Sequence, residues 1–92
     1  MEAIVCKFGG SSVADENRIC RIESIIRADK RRRYIIVSAP GKRKADDQKI
    51  TDLLYLCHDL ADQGLDIEEP FHIIRSRFLD IARGLKVGLD IE

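Results

Sequence analysis

No tryptophan, one methionine and an aromatic share of only 5% leave this sequence few flat faces on which nucleobases could stack. Net charge is also missing: 16 Lys and Arg are matched by 16 Asp and Glu. Together these absences exclude a chain whose main task is to coat nucleic acid or an anionic membrane. The three cysteines, Cys6, Cys20 and Cys57, are odd in number and form no CxxC pair. That is a reducing-compartment pattern and predicts a cytoplasmic protein. His58 and His72 have no His or Cys at ligand spacing, so no metal site is expected. Apolar runs fall far short of the ~20 residues that span a bilayer. Lys7 and Gly9-Gly10 interrupt the opening apolar stretch, which predicts no secretory leader there.

What is present is ordinary for a globular chain: 92 residues, 45% hydrophobic and 35% charged, enough for one modest core. Ala3 to Phe8 is nearly continuously apolar and predicts a buried strand of a parallel sheet. Ser11, Ser12 and Asp15 then offer capping oxygens, and Ile19, Ile22, Ile25 and Ile26 predict a helix to about Ala28. The basic run Lys30, Arg31, Arg32, Arg33 is expected at that helix's C-terminus, where cations complement the dipole. Tyr34 to Ser38 predicts a second strand, ended by Ala39-Pro40-Gly41. A polar loop with a second basic run, Lys42, Arg43 and Lys44, leads to Gln48.

Ile50, Leu53, Leu54, Cys57, Leu60 and Ala61 give one helical face, with Gly64 placed as the C-terminal cap. A third helix is expected from about Pro70, with Asp66 and Glu69 as a capping box. Its seam is Phe71, Ile74, Phe78, Ile81 and Leu85. The order β-α-β-α-α predicts an α/β protein with a parallel strand pair joined by a right-handed crossover. Two strands make a small sheet, so further strands are expected from outside these residues. Gly64-Leu-Asp-Ile-Glu68 recurs as Gly88-Leu-Asp-Ile-Glu92; common residues can recur by coincidence, and the sharper reading predicts that another helix follows residue 92.

Chemistry concentrates where the strands end. Lys7-Phe8-Gly9-Gly10-Ser11-Ser12 joins the first strand to the first helix, the edge at which parallel sheets bind ligands. Paired glycines let backbone approach a phosphate, free amides point at it, Lys7 adds charge, and Ser11 and Ser12 add hydroxyls. Alone, such a turn can equally be a tight connection. It is neither a Walker A loop nor a G-x-G-x-x-G dinucleotide turn. Val37 to Arg43 leaves the second strand at the same edge, and Lys49 to Leu54 places Thr51 near a helix N-terminus. Ser38 and Thr51 each also have an ordinary reading, as a strand-end hydroxyl and as a cap.

Lys7-Phe8-Gly9-Gly10-Ser11-Ser12-Val13-Ala14 resembles the opening motif of aspartate kinases, KFGG[ST]SVA. Ser38-Ala39-Pro40-Gly41 followed by Ile50-Thr51-Asp52-Leu53-Leu54 is similar to that family's second motif. The resemblance covers roughly residues 4–15 and 37–55. It implies the N-terminal part of an amino acid kinase-type α/β/α sandwich with a mainly parallel sheet. It implies ATP- and Mg²⁺-dependent phosphorylation of the L-aspartate side chain to 4-phospho-L-aspartate, the first step toward lysine, threonine and methionine. It also implies a homo-oligomeric parent protein that binds neither nucleic acid nor membrane.

Carried over, Lys7 lies on the transferring phosphoryl group, Gly9, Gly10 and Ser11 cradle phosphates, and Ser38 and Thr51 lie at the aspartate site. The family's aspartate-holding glutamate and arginine, its nucleotide half and its ACT regulatory domains lie further along than this sequence reaches. The isolated 92 residues are therefore expected to be inactive. Two other readings stand beside this one. One is another amino acid kinase, such as a glutamate 5-kinase or a uridylate kinase. The other is a non-catalytic phosphate-binding remnant.

Overall fold

The computed structural model describes residues 2–88 and 90. Strand β1, Ile4–Phe8, is followed by a short 3-10 turn at Gly10–Val13 and by helix α1, Glu16–Arg27. Strand β2, Arg32–Val37, helix α2, Ile50–Asp62, and helix α3, Glu68–Leu85, complete the order. The two strands are parallel, as expected, pairing Val5 with Tyr34, Cys6 with Ile35, Lys7 with Ile36 and Phe8 with Val37. A register irregularity sits between Ile4 and Val5.

Alternation along β1 separates two faces. Ile4, Cys6 and Phe8 are half-buried, whereas Val5 and Lys7 stand exposed. Tyr34 and Ile36, cross-strand from Val5 and Lys7, are exposed as well. One sheet face, with Val5, Tyr34 and Ile36 beside Lys7, is therefore uncovered. The shape agrees: 53 × 27 × 25 Å, with a radius of gyration of 15.6 Å, against about 13 Å for a compact domain of 100 residues.

Ile50 and Leu53 of α2 pack with Ile74 of α3 to form the core, flanked by Ala39, Cys57, Ile73 and Phe78. Val13, Ala14, Ile22 and Ala82 are buried beside α1. The expected α2 face is only partly used: Ile50 and Leu53 are buried, while Leu54 and Ala61 are exposed. In α3, Ile74 is buried and Phe78, Ile81 and Leu85 half-buried, but Phe71 is exposed. In the first turn of α3 Pro70 is buried, while Phe71 faces solvent.

The helix ends differ from expectation in instructive ways. Asp15 caps α1, its carboxylate accepting the Arg18 amide at 3.0 Å, while Ser11 and Ser12 belong to the preceding 3-10 turn. The basic run does not end α1. Asp29 accepts the amide of Arg31 at 2.9 Å and its guanidinium at 2.6 Å. That local turn redirects the chain, so Arg32 and Arg33 enter β2 two residues earlier than the apolar pattern suggests. Arg32 still serves the helix dipole, donating back to the Ile25 carbonyl near the end of α1. At α3 no capping box forms: Ile67 precedes the helix, and Asp66 accepts the Glu68 amide at 2.9 Å. The second copy of the pentapeptide and any helix after it lie outside the described residues.

Gly64 behaves as expected. Its φ of +71° is the left-handed conformation a helix stop requires. Its amide donates to Ala61 at 3.0 Å and the Leu65 amide to Leu60 at 2.8 Å, the paired bonds of a Schellman stop. An added Cβ there meets no atom within 4 Å. Gly64→Ala should therefore cost only the backbone term, about 1–2 kcal/mol, and Gly64→Asn less. Urea unfolding of the two variants beside the wild type checks this.

Candidate functional site

The two strand-end turns meet through their backbones. The Ser38 amide continues the ladder to the Phe8 carbonyl at 3.2 Å, and the Gly41 amide donates to the Gly10 carbonyl at 2.8 Å. A Cβ on Gly41 would lie 2.8 Å from the Gly10 carbonyl carbon and 3.0 Å from the Ser11 nitrogen. Only glycine permits that approach without moving backbone. The Ile50 amide donates to Pro40 at 3.1 Å, which seats the start of α2 directly on the second turn.

These contacts enclose an open cleft of about 450 Å³ lined by Gly10, Ser11, Ser38, Ala39, Pro40, Gly41, Lys42, Lys49 and Thr51. Four of the sequence-predicted residues, Gly10, Ser11, Ser38 and Thr51, thus share one cleft. Lys7 and Gly9 do not line it. Lys7 is exposed on the open sheet face, and Gly9 is exposed at the strand end. Lys42 and Lys49 line the cleft although Lys49 drew no attention in the sequence. Thr51 is no cap: Lys49 occupies that position, and no side chain bonds there. Its hydroxyl is left for other work. Two ammonium groups, three hydroxyls and glycine backbone suit an anion bearing oxygens.

Behind the cleft lies the arginine that sequence reading missed. Arg77 of α3 is only 3% exposed. Its Nη2 donates to the carbonyls of Gly41 at 2.7 Å and Ala14 at 3.1 Å, and its Nη1 to Gln48 at 2.8 Å. Asp47 Oδ2 is 3.7 Å from Nη1. Burial pulls the Arg77 guanidinium below its ordinary range, and the charge of Asp47 opposes that. Arg18 of α1 makes a second clamp, donating to Ser11 at 3.2 Å, Lys42 at 3.0 Å and Arg43 at 3.1 Å.

Asp47 closes the loop upon itself. Its carboxylate accepts the Arg43 amide at 2.9 Å and the Arg43 guanidinium at 2.7 and 3.1 Å. The Arg43 guanidinium is the main reason its carboxyl lies far below the ordinary carboxylate range, ahead of amide bonds from Arg43 and Gln48 and the charge of Arg77. Among the described residues no three His, Cys, Asp or Glu side chains gather as a metal cluster. No described helix is long and apolar enough to cross a membrane.

Two aspartate kinases are among the known proteins similar to this chain. Aspartokinase 3 of Bacillus subtilis (strain 168) is 37% identical over 87 residues, which is 95% of this chain and 19% of that protein. The crystal structure of the aspartate kinase of Clostridium acetobutylicum superposes with a TM-score of 0.94 at 44% identity, over 98% of this chain and 21% of that one. The chain thus spans about a fifth of the length of each. No family model matches.

Two variants test the geometry. Gly41→Ala drives a methyl into the Gly10 backbone and should destabilise the protein by about 1–3 kcal/mol, the usual cost of overpacking. Thermal melting reads it. Asp47 has a folded-state value below its unfolded one, so its contribution is present above the unfolded value of about 3.9 and lost as pH falls toward the folded value. Asp47→Asn should lower stability at neutral pH and flatten its decline on acidification, a comparison made by melting both proteins from pH 7 to about pH 2.

Proposed function

These 92 residues correspond to about a fifth of an aspartate kinase, and on that premise we propose that the parent protein phosphorylates the side-chain carboxylate of L-aspartate with ATP. One observation carries the reading: Gly10 and Ser11 of the first motif and Ser38 and Thr51 of the second line the same cleft. Two anionic substrates have to meet, and the cleft offers cations, hydroxyls and glycine backbone rather than an acid–base pair.

That inventory fits the chemistry. The acceptor carboxylate has an unperturbed pKa of about 3.9 and is ionised at neutral pH. It needs no general base. Its oxygen attacks the γ-phosphorus, the bond from that phosphorus to the β,γ-bridging oxygen breaks, and the products are an acyl phosphate and ADP. What remains is to hold two anions in line and to stabilise charge on the phosphoryl oxygens.

In this reading Lys7 lies on the transferring phosphoryl group. Gly9, Gly10 and Ser11 receive the phosphates, and Ser38 and Thr51 hold aspartate. Gly9 suits the first task because no described atom lies within 4 Å of where its Cβ would be, leaving its backbone open to an approaching oxygen. Mg²⁺ bound with the nucleotide would neutralise phosphate charge. Its protein ligands are not assigned to this segment, which lacks a cluster of carboxylates among the described residues. The parent sheet extends into an α/β/α sandwich that covers Val5, Tyr34 and Ile36.

The isolated segment should form no aspartyl phosphate, because it holds too little of the nucleotide site. In the parent protein Lys7→Ala should lower kcat by about two to three orders of magnitude, the usual effect of removing one group that stabilises transition-state charge. Hydroxamate trapping of the acyl phosphate measures both. A near-normal kcat would remove Lys7 from the phosphoryl site.

A further inference from the structure

The segment between β2 and α2 has no regular structure, and Lys42 to Asp46 are exposed. Loops of that kind usually move. Here the backbone is held from outside at four carbonyls. Arg18 takes those of Lys42 and Arg43, and Arg77 takes those of Gly41 and Gln48. Each guanidinium also bonds the connection after β1, Arg18 at Ser11 and Arg77 at Ala14. The two sides of the cleft are thereby cross-linked twice, once from α1 and once from α3.

Stability alone is a poor account of Arg77. A well-packed apolar side chain commonly serves a buried position as well as a charge does. The guanidinium at this site spends its donors on three carbonyls, all belonging to the two segments that meet at the cleft. Lysine could not replace it, since its donors radiate from one nitrogen, whereas the planar fork reaches separate acceptors. Gly41 lines the cleft, and Gln48 directly precedes Lys49 and Thr51, which line it too.

We propose that Arg18 and Arg77 are positioning residues that strap the Gly41–Gln48 segment and so fix the Ser38–Thr51 side of the cleft against the Gly10–Ser11 side. This rests on the carboxylate-kinase reading for its substrate: the strapped side is the one assigned to the acceptor. Loosening it should weaken acceptor binding and alignment, and leave nucleotide binding nearly intact. Neither arginine is assigned a contact with substrate.

The test uses the full-length parent protein with Arg77→Lys and Arg18→Met. Arg18 is partly exposed, so its variant keeps the inference testable should Arg77→Lys fold poorly. Steady-state kinetics should show the KM for L-aspartate rising about fivefold or more in each variant, with the KM for ATP changing less than about twofold, as expected when alignment of one reactant is lost. Fewer folded molecules with both KM values unchanged would mean a purely structural role and would overturn the proposal. Hydrogen exchange at the amides of residues 41–51 reads the strap without any substrate. Faster exchange in both variants is expected, and wild-type exchange rates would overturn the strap. If the wild-type protein forms no acyl phosphate from L-aspartate, the kinase reading fails, and the exchange data still decide the strap.

Discussion

Three backbone carbonyls that share one buried guanidinium set the geometry around the cleft. Ala14 belongs to the connection after β1 and Gly41 and Gln48 to the loop after β2, and Arg77 bonds all three. A charge taken out of water is costly unless its hydrogen-bonding capacity is met. No described buried side-chain nitrogen or oxygen is left without a partner. The demand runs both ways: the arginine needs the carbonyls in place, and irregular backbone packed inside needs a donor. A short connection after β1, a long loop after β2 and a helix from the far end of the chain are fixed together.

Around that contact the remaining forces are local and modest. The core of Ile50, Leu53 and Ile74 is small, and it sets α2 against α3 rather than either helix against the sheet. Gly10 and Gly41 touch backbone to backbone, a contact that hydrophobic burial could not create and that any side chain on Gly41 would prevent. The Arg43–Asp47 pair engages two of the loop's own charges with each other, and Lys42 and Lys49 line the cleft. Its basic character is therefore a matter of which cations are already engaged, in a chain whose total charge is zero.

The parts of this arrangement that follow from periodicity or from a local rule were legible in the sequence. β1, α2 and the stop at Gly64 are of that kind, and so is the meeting of two turns at one sheet edge. Arg77 was not. It sits one residue before Phe78 on the apolar seam of α3, where a charged residue reads as a boundary of the buried face. Its acceptors are carbonyls, which carry no sequence signature. Lys49 was missed for a related reason: its position in the cleft depends on where Pro40 seats the first turn of α2. β2 starts earlier than the apolar pattern suggests because Asp29 engages Arg31 in a local turn, which leaves Arg32 and Arg33 to begin the strand. The motif marks Lys7 and Gly9 as expected site residues, while the described cleft gathers only their neighbours: Lys7 stands exposed on the open sheet face and Gly9 at the strand end.

The bond between Arg77 and Ala14 closes a separation of 63 residues. Contacts of that span form late when a chain folds, because the entropy of closing the intervening loop comes first. The two turns can meet earlier through Gly10 and Gly41 and through Arg18 of α1, and the docking of α3 adds the second cross-link between them. Thermodynamic linkage then runs in reverse as well. Any molecule that binds better to the joined turns than to the separated ones must, by reciprocity, tighten the docking of α3 by the same free energy. Occupancy of the cleft and closure of the distant helix are in that sense a single equilibrium observed from two ends.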